Sequence, residues 1–179
     1  LVEELTDAQR SLREKRFLHF AQEDIDSIEI TEGSRKIILH RLEQDQWRVF
    51  ERKGEVEVVQ YEADPKVIGN LLTTLDETEA EYFVLDAPVE KDLNSTGLLP
   101  ALMTVKLNQK SGDERILLVG KYYEDDLLYA KSQKAPFVYA ISDSLLESVV
   151  LNPLHYRTRL LAPLAKGATI RKIFLRDLD

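Results

Sequence analysis

The sequence has no cysteine, one tryptophan, one methionine and only 7 glycines in 179 residues. Without cysteine there is no disulfide, no thiolate nucleophile and no thiolate zinc site. The compartment stays open, because a chain of this length buries a core large enough to be secreted without bridges. The scarce glycines form no phosphate-cradling loop, and no serine sits in a Gly-x-Ser-x-Gly elbow. No apolar run approaches the roughly 20 residues that span a bilayer, and no signal-peptide pattern is visible. His19, His40 and His155 lie far apart, none at a two-histidine helical spacing or beside a carboxylate at a metal-site interval, so no metal or other cofactor is expected.

The charge that is present is acidic and mixed. A formal net charge of -8 with both signs spread along the chain argues against a nucleic-acid groove, which needs clustered Lys and Arg. Hydrophobic residues make up 44%, enough for one full domain and too few residues overall for two. The chain opens on Leu1, which reads as a piece excised from a longer protein.

Alternation of period two marks two antiparallel meanders. In the first, Ile28 and Ile30 begin a strand, Gly33 and Ser34 turn, Ile37 and Leu39 follow, Trp47, Val49 and Phe50 form a third strand, and Lys53-Gly54 leads into residues 56–59. In the second, Met103, Val105 and Leu107 share a face, Ser111-Gly112-Asp113 turns, and residues 116–119 are apolar on both faces, as in a strand covered on two sides. Gly120 ends that run, Glu124-Asp125-Asp126 turns again, and strands at 127–130 and 137–141 close the meander. Lone Trp47 on an alternating strand reads first as core and second as a stacking platform.

Each meander is followed by a helix. Asp64-Pro65 is a strong start, since Asp accepts free first-turn amides and Pro at the first position sacrifices no hydrogen bond. Val67, Ile68, Leu71, Leu72 and Leu75 then share a face at helical spacing, with Gly69 costing about 1 kcal/mol relative to Ala. Residues 77–81 are acidic and lead through Tyr82, Phe83 and Val84 to a loop around Pro88. The second helix spans 143–151, capped by Ser142 or Asp143 and stopped by Pro153. The expected class is α+β: antiparallel meanders each followed by a helix packed on the sheet, βββ(β)α then ββββα, plus a C-terminal strand.

Three regions follow. Residues 1–20 are a charged leader with Thr6-x-x-Gln9 as a capping box for a short helix, or simply a solvated segment. Residues 21–152 form the α+β domain. Residues 153–179 open a second, truncated repeat, because residues 156–161 and the strand 170–175 echo residues 12–18 and the strand 25–30, each a basic leader before an alternating strand. An ordinary last strand is the alternative. Such an orphan strand would pair with an open sheet edge, in the same molecule or in a strand-mediated homo-oligomer.

A set of landmarks resembles the DUF4340 family over residues 12–161. They are Lys15-Arg16-Phe17-Leu18-x-Phe20 before Asp24-Ile25-x-x-Ile28, Trp47-x-Val49 near Ala63-Asp64-Pro65, the helix at 67–75, Thr96-Gly97-Leu98-x-Pro100, Leu118-x-Gly120, Tyr129-Ala130 and Val138-Tyr139. Thr96 stands where the family pattern often has Tyr or Phe. The resemblance implies a bacterial envelope protein, tethered by one N-terminal membrane anchor outside this fragment, with repeated copies of the domain outside the cytoplasm. It also implies association with ABC transporter components similar to those of gliding-motility systems. It carries no activity and no catalytic residues.

No catalytic residue is therefore assigned. Tyr122 and Tyr123, next to the acidic turn Asp125-Asp126, form the candidate ligand or partner patch, with only one of the two tyrosines able to point outward from a strand. Glu90 with Asp92 and Asp125 with Asp126 read as solvated turns, since nothing nearby would drive their pKa values apart. Arg157 and Arg159 are a candidate contact for an acidic partner or a support at a junction between repeats. The expected function is a non-enzymatic protein-interaction and assembly module with protein partners in the envelope; the alternative is a domain that binds a glycan or other small envelope ligand.

Overall fold

The computed structural model describes residues 14–53 and 56–159. The sequence features at Thr6 and Gln9, at Gly54 and at 170–175 lie outside them. Among the described residues nine strands build one antiparallel sheet: β1 Ile25–Glu32, β2 Arg35–Arg41, β3 Trp47–Lys53, β4 Val56–Ala63, β5 Tyr82–Leu85, β6 Met103–Gln109, β7 Glu114–Glu124, β8 Leu127–Ser132 and β9 Val138–Ser142. Their order is β4-β3-β2-β1-β6-β7-β8-β9-β5, so the two meanders lie side by side and fuse where β1 pairs with β6. The α+β class holds.

Register sorts the side chains onto two unlike faces. Ile28 lies between Leu39 and Leu107, and Ile30 between Ile37 and Val105, all fully buried. This face continues through Val49, Leu117, Val119, Leu128 and Ile141 into one apolar cluster. The other face carries Ser27, Glu29, Lys36, Lys106 and Asn108 among the half-buried Ile38, Phe50, Ile116 and Leu118. There the Asn108 amide donates to Ser27 Oγ (2.9 Å) and Glu29 Oε1 (3.2 Å), and Lys36 donates to Glu29 Oε2 at 2.8 Å. Burial raises the Glu29 pKa, but the hydrogen bond and charge of Lys36, with Asn108 and Lys106, outweigh it and hold the carboxyl below its ordinary value.

Helix α1, Pro65–Glu77, lies on the apolar face. It starts as the sequence indicates, with the Asp64 carboxylate accepting from the Lys66 amide at 2.9 Å, and it buries Ile68, Leu71, Leu72 and Leu75. The N-terminal approach docks beside it: Leu18 is buried, Phe17 stacks on Tyr139 with centroids 4.6 Å apart, and the Ala80 amide donates to Lys15 O.

Four expectations need correction. Residues 82–85 are not a lead into a loop but the edge strand β5, paired with β9, and a short helix α2, Glu90–Ser95, follows. The strand covered on both faces is β9, with Val138, Tyr139, Ala140 and Ile141 all buried, whereas β7 alternates between buried Leu117 and Val119 and half-buried Ile116 and Leu118. Gly120 does not end β7, which runs on to Glu124. A Cβ at position 120 would collide with the Thr96 carbonyl, because the 96–102 segment passes directly beneath, with Lys121 N donating to Thr96 O at 2.9 Å and Leu102 N to Val119 O at 3.1 Å.

Of the helix expected at 143–151 only a single turn forms, α3 Leu145–Ser148, and a second turn, α4 Pro153–Tyr156, lies beyond it. The reason is one side chain. The fully buried Tyr156 hydroxyl donates to Ser148 O (3.2 Å) and accepts from Val150 N (2.9 Å), so it satisfies groups left open where α3 stops. Asn152 caps the next turn, its side chain accepting from Leu154 N at 3.0 Å, and Pro153 occupies the first helical position instead of acting as a stop.

Two outcomes are expected. Gly120→Ala should destabilise the domain by about 1–3 kcal/mol or more, measured by denaturant unfolding, because the clash is with backbone. Tyr156→Phe should cost about 1–3 kcal/mol at neutral pH. Burial raises the Tyr156 phenol from 10.0 to about 12, against a smaller lowering by the Val150 amide. Its contribution is therefore complete below pH 10.0 and is lost as pH rises through about 12. Unfolding midpoints across that window should show the gap between wild type and Tyr156→Phe closing.

Candidate functional site

The candidate residues fall at two separate places. Tyr122, Tyr123, Asp125 and Asp126 meet at the β7–β8 hairpin, whereas Arg157 and Arg159 follow α4 at the far end of the sheet, beside β4. The Arg157 guanidinium lies 4.7 Å from the centroid of the Tyr61 ring, a cation–π contact on its own domain. Asp125 and Asp126 are exposed at the turn.

At the hairpin the two tyrosines take opposite faces. Tyr122 pairs with Leu128 and is 56% exposed. Tyr123 is half-buried between two rings: Tyr129 of β8 at 5.2 Å, edge-on, and Tyr82 of β5 at 6.4 Å. Register explains the meeting. Ala140 on β9 pairs with Tyr129 on one side and Tyr82 on the other, and this small residue, fully buried, leaves room for the rings above it.

Tyr82 was missed as a site residue because it sits 40 positions before Tyr122 on a strand of only 4 residues. It is one of several exposed apolar side chains. The exposed large hydrophobic side chains of the described residues are Val56, Tyr82, Val89, Leu99, Leu102, Tyr122 and Leu154, and five of these seven belong to residues 82–102 and the β7 end. Hydrogen bonds tie residues 89–102 to one another and to β7: Leu93 N to Val89 O, Leu99 N to Leu93 O, Leu102 N to Val119 O and Lys121 N to Thr96 O. Gly97, at φ +72°, lets the loop turn tightly against the Lys121 backbone.

Trp47 is core. It is 5% exposed and lies under Arg41, whose guanidinium carbon is 4.8 Å from the ring centroid. Arg41 is itself fixed by Ile25 O (2.8 Å), Gln22 O (2.7 Å) and Asp45 Oδ1 (2.7 Å), with its side chain 12% exposed. Both faces that a sugar would need are thus removed from solvent.

Two clefts lie away from the tyrosines. One of about 360 Å³ opens between the end of α1 and β9, lined by Glu77, Glu79, Glu81, Ser142 and Ser144, with Arg16 pairing Glu79 at 3.4 Å. Another, of about 580 Å³, is an open groove by Asp26, His40 and Lys110. Among the described residues no group of three or more His, Asp or Glu side chains could hold a metal ion. The perturbed groups are explained by local structure: the hydrogen bond that Lys106 donates to Glu114 raises Lys106, and burial lowers Lys131 and raises Tyr139. This chemistry positions a fold; it does not set an acid against a base.

The family model described as domain of unknown function (DUF4340) matches residues 56–173, which is more than half of the chain. The chain belongs to the DUF4340 family. That match begins at β4, later than the landmarks at 15–49, and runs past the last described residue. No curated protein and no solved structure matches the chain. In this DUF4340 domain no helix among the described residues is long and apolar enough to cross a membrane.

The Arg41 arrangement is directly testable. Trp47 emission should be blue-shifted and poorly quenched by acrylamide. Arg41→Ala, which strips a charged donor from two backbone carbonyls, should lower stability by about 2–3 kcal/mol and shift that emission to the red, with Arg41→Lys recovering only part.

Proposed function

We propose that this DUF4340 domain is a non-enzymatic protein-interaction module of a membrane-anchored bacterial envelope protein, serving an ABC transporter assembly. The setting rests on the family resemblance. The interaction role rests on one observation: Val89, Leu99 and Leu102 are exposed on a segment that hydrogen bonds tie to β7, the strand on which Tyr122 is exposed. Scattered apolar residues are ordinary on a protein surface, but exposed apolar and aromatic side chains on adjoining segments are what a partner desolvates. Exposed tyrosines give large contact area at small entropic cost.

The same rings support a second reading, a glycan or other small envelope ligand. It has less to draw on. Tyr123 is held between Tyr82 and Tyr129, and the best alternative platform, Trp47, is covered by Arg41.

A photoreactive side chain placed at Leu102 or Tyr122 of the full-length parent protein, in its native membrane, should form a defined protein adduct. The same group at exposed Lys66, on the opposite side of the sheet edge, should not. The double variant Leu102→Ser, Tyr122→Ser should suppress the adduct formed from Leu99 while moving stability by less than about 0.5 kcal/mol, as expected for exposed positions. Equal adducts at all sites would defeat the proposal, and adducts to glycan alone would establish the second reading instead.

A further inference from the structure

We infer that the tyrosine row on β5, β8 and β7 is a docking site for an arginine-bearing segment of a protein partner, with the guanidinium against the Tyr82 ring and the carboxylates that end these strands supplying the complementary charge. This rests on the protein-interaction reading and adds the chemistry of the partner.

Register and ring geometry make the row continuous. Tyr82 and Tyr129 flank Ala140 across three neighbouring strands, and the Tyr123 ring lies between theirs, at 6.4 Å and 5.2 Å. Tyr82 is 56% exposed and the other two are half-buried. Successive ring planes are tilted by 48° and 73°, so the row is stepped, not flat. A sugar is best held on a broad flat face, whereas a cation is attracted to the face of any ring that it approaches within about 6 Å. The fold already makes that contact twice, with Arg41 over Trp47 at 4.8 Å and Arg157 over Tyr61 at 4.7 Å. Among the described residues no arginine or lysine lies over Tyr82, Tyr123 or Tyr129.

Charge sets the sign of the occupant. Antiparallel pairing brings the end of β7, the start of β8, the end of β9 and the start of β5 to one end of the sheet. Glu124, Asp125 and Asp126 stand there at the hairpin, all exposed. Glu81, just before β5, donates its amide to Ala140 O at 2.9 Å, and Asp143, just after β9, donates its amide to Asp126 O at 2.9 Å. None of these five carboxylates is in an ion pair among the described residues. Lys121, the basic residue of this stretch of β7, donates to Ser95 O at 3.1 Å instead. Carboxylates at a turn are by themselves ordinary solvated charge. Next to exposed aromatic surface they suit a planar guanidinium, which stacks on a ring while donating to carboxylates, and they suit the compact ammonium of lysine less well.

The test is a titration of the full chain with a short peptide of alternating arginine and leucine, followed by the NMR signals of the tyrosine rings. The same peptide with glutamate in place of arginine is the comparison. The arginine peptide should shift Tyr82, Tyr123 and Tyr129 saturably, with an affinity that falls as salt is raised, and the glutamate peptide should not. Tyr82→Leu, which keeps an apolar side chain and removes the aromatic face, should weaken binding by about two- to fivefold. Tyr122→Leu, on the opposite face, should leave it unchanged. No saturable shift, equal shifts with both peptides, or equal effects of the two leucine variants would overturn the inference. Saturable shifts of the same rings with a chitin oligosaccharide and not with the peptide would assign the row to a sugar and overturn it equally. Crosslinking from Tyr122 reports the protein-interaction reading separately, so either can fail alone.

Discussion

The antiparallel ladder between β1 and β6 is the contact on which the other elements depend. It joins residues about eighty positions apart, Ile28 to Leu107 and Ile30 to Val105, and it turns two four-stranded meanders into one sheet. Non-local pairing of this kind is reached only after a large loop-closure cost, so something must make one register much better than its neighbours. The two faces supply that preference. A slip of one residue would exchange Leu107 with Asn108 and drive an amide into the apolar cluster, away from Ser27 and Glu29. The polar ladder on the open face thus contributes specificity, while the apolar face contributes most of the burial.

A sheet of this width creates a covering problem. Nine strands at about 4.8 Å spacing are on the order of 40 Å across, and one helix is about 10 Å thick. Helix α1 therefore protects only a strip. The rest of the apolar face is closed by small pieces from elsewhere in the chain: Leu18 and Phe17 from the N-terminal approach, Leu145 and Val149 around α3, and Tyr156 from α4. Each piece is too short to be stable alone, and each is held by a specific contact such as the Tyr156 hydroxyl between Ser148 and Val150. Stability in this domain is spread over contacts that join distant segments.

That distribution also explains which features the sequence revealed. The start of α1 was legible because Asp64, Pro65 and the apolar stripe are local signals, and so were the strands around Ile28, Leu39, Val49 and Val105 and the turns at Gly33 and Gly112. Trp47 read correctly as core from its alternation, but its Arg41 cover did not, since that contact depends on the strand pairing. β5 was missed because four residues, Tyr82 to Leu85, carry too little pattern, and their partner β9 lies more than fifty positions on. The break at Val149 and Val150 needed Tyr156, whose role only the folded chain shows. Gly120 was read as a stop when a lone glycine inside an apolar run equally signals close backbone approach, which is its role beside Thr96.

The two ends of the sheet are unlike, and the difference bears on how each could associate. β4 is long, and its last residues already bond Tyr156 and Thr158, so its edge is suited to backbone pairing. β5 has 4 residues and a register irregularity between Phe83 and Leu85, features that make an edge a poor template for an incoming strand. Tyr82 on that strand is nonetheless exposed. The two edges of the sheet thus differ in what they offer: β4 presents backbone groups already engaged in a bridge to Arg157, whereas β5 is short and irregular and carries an exposed tyrosine.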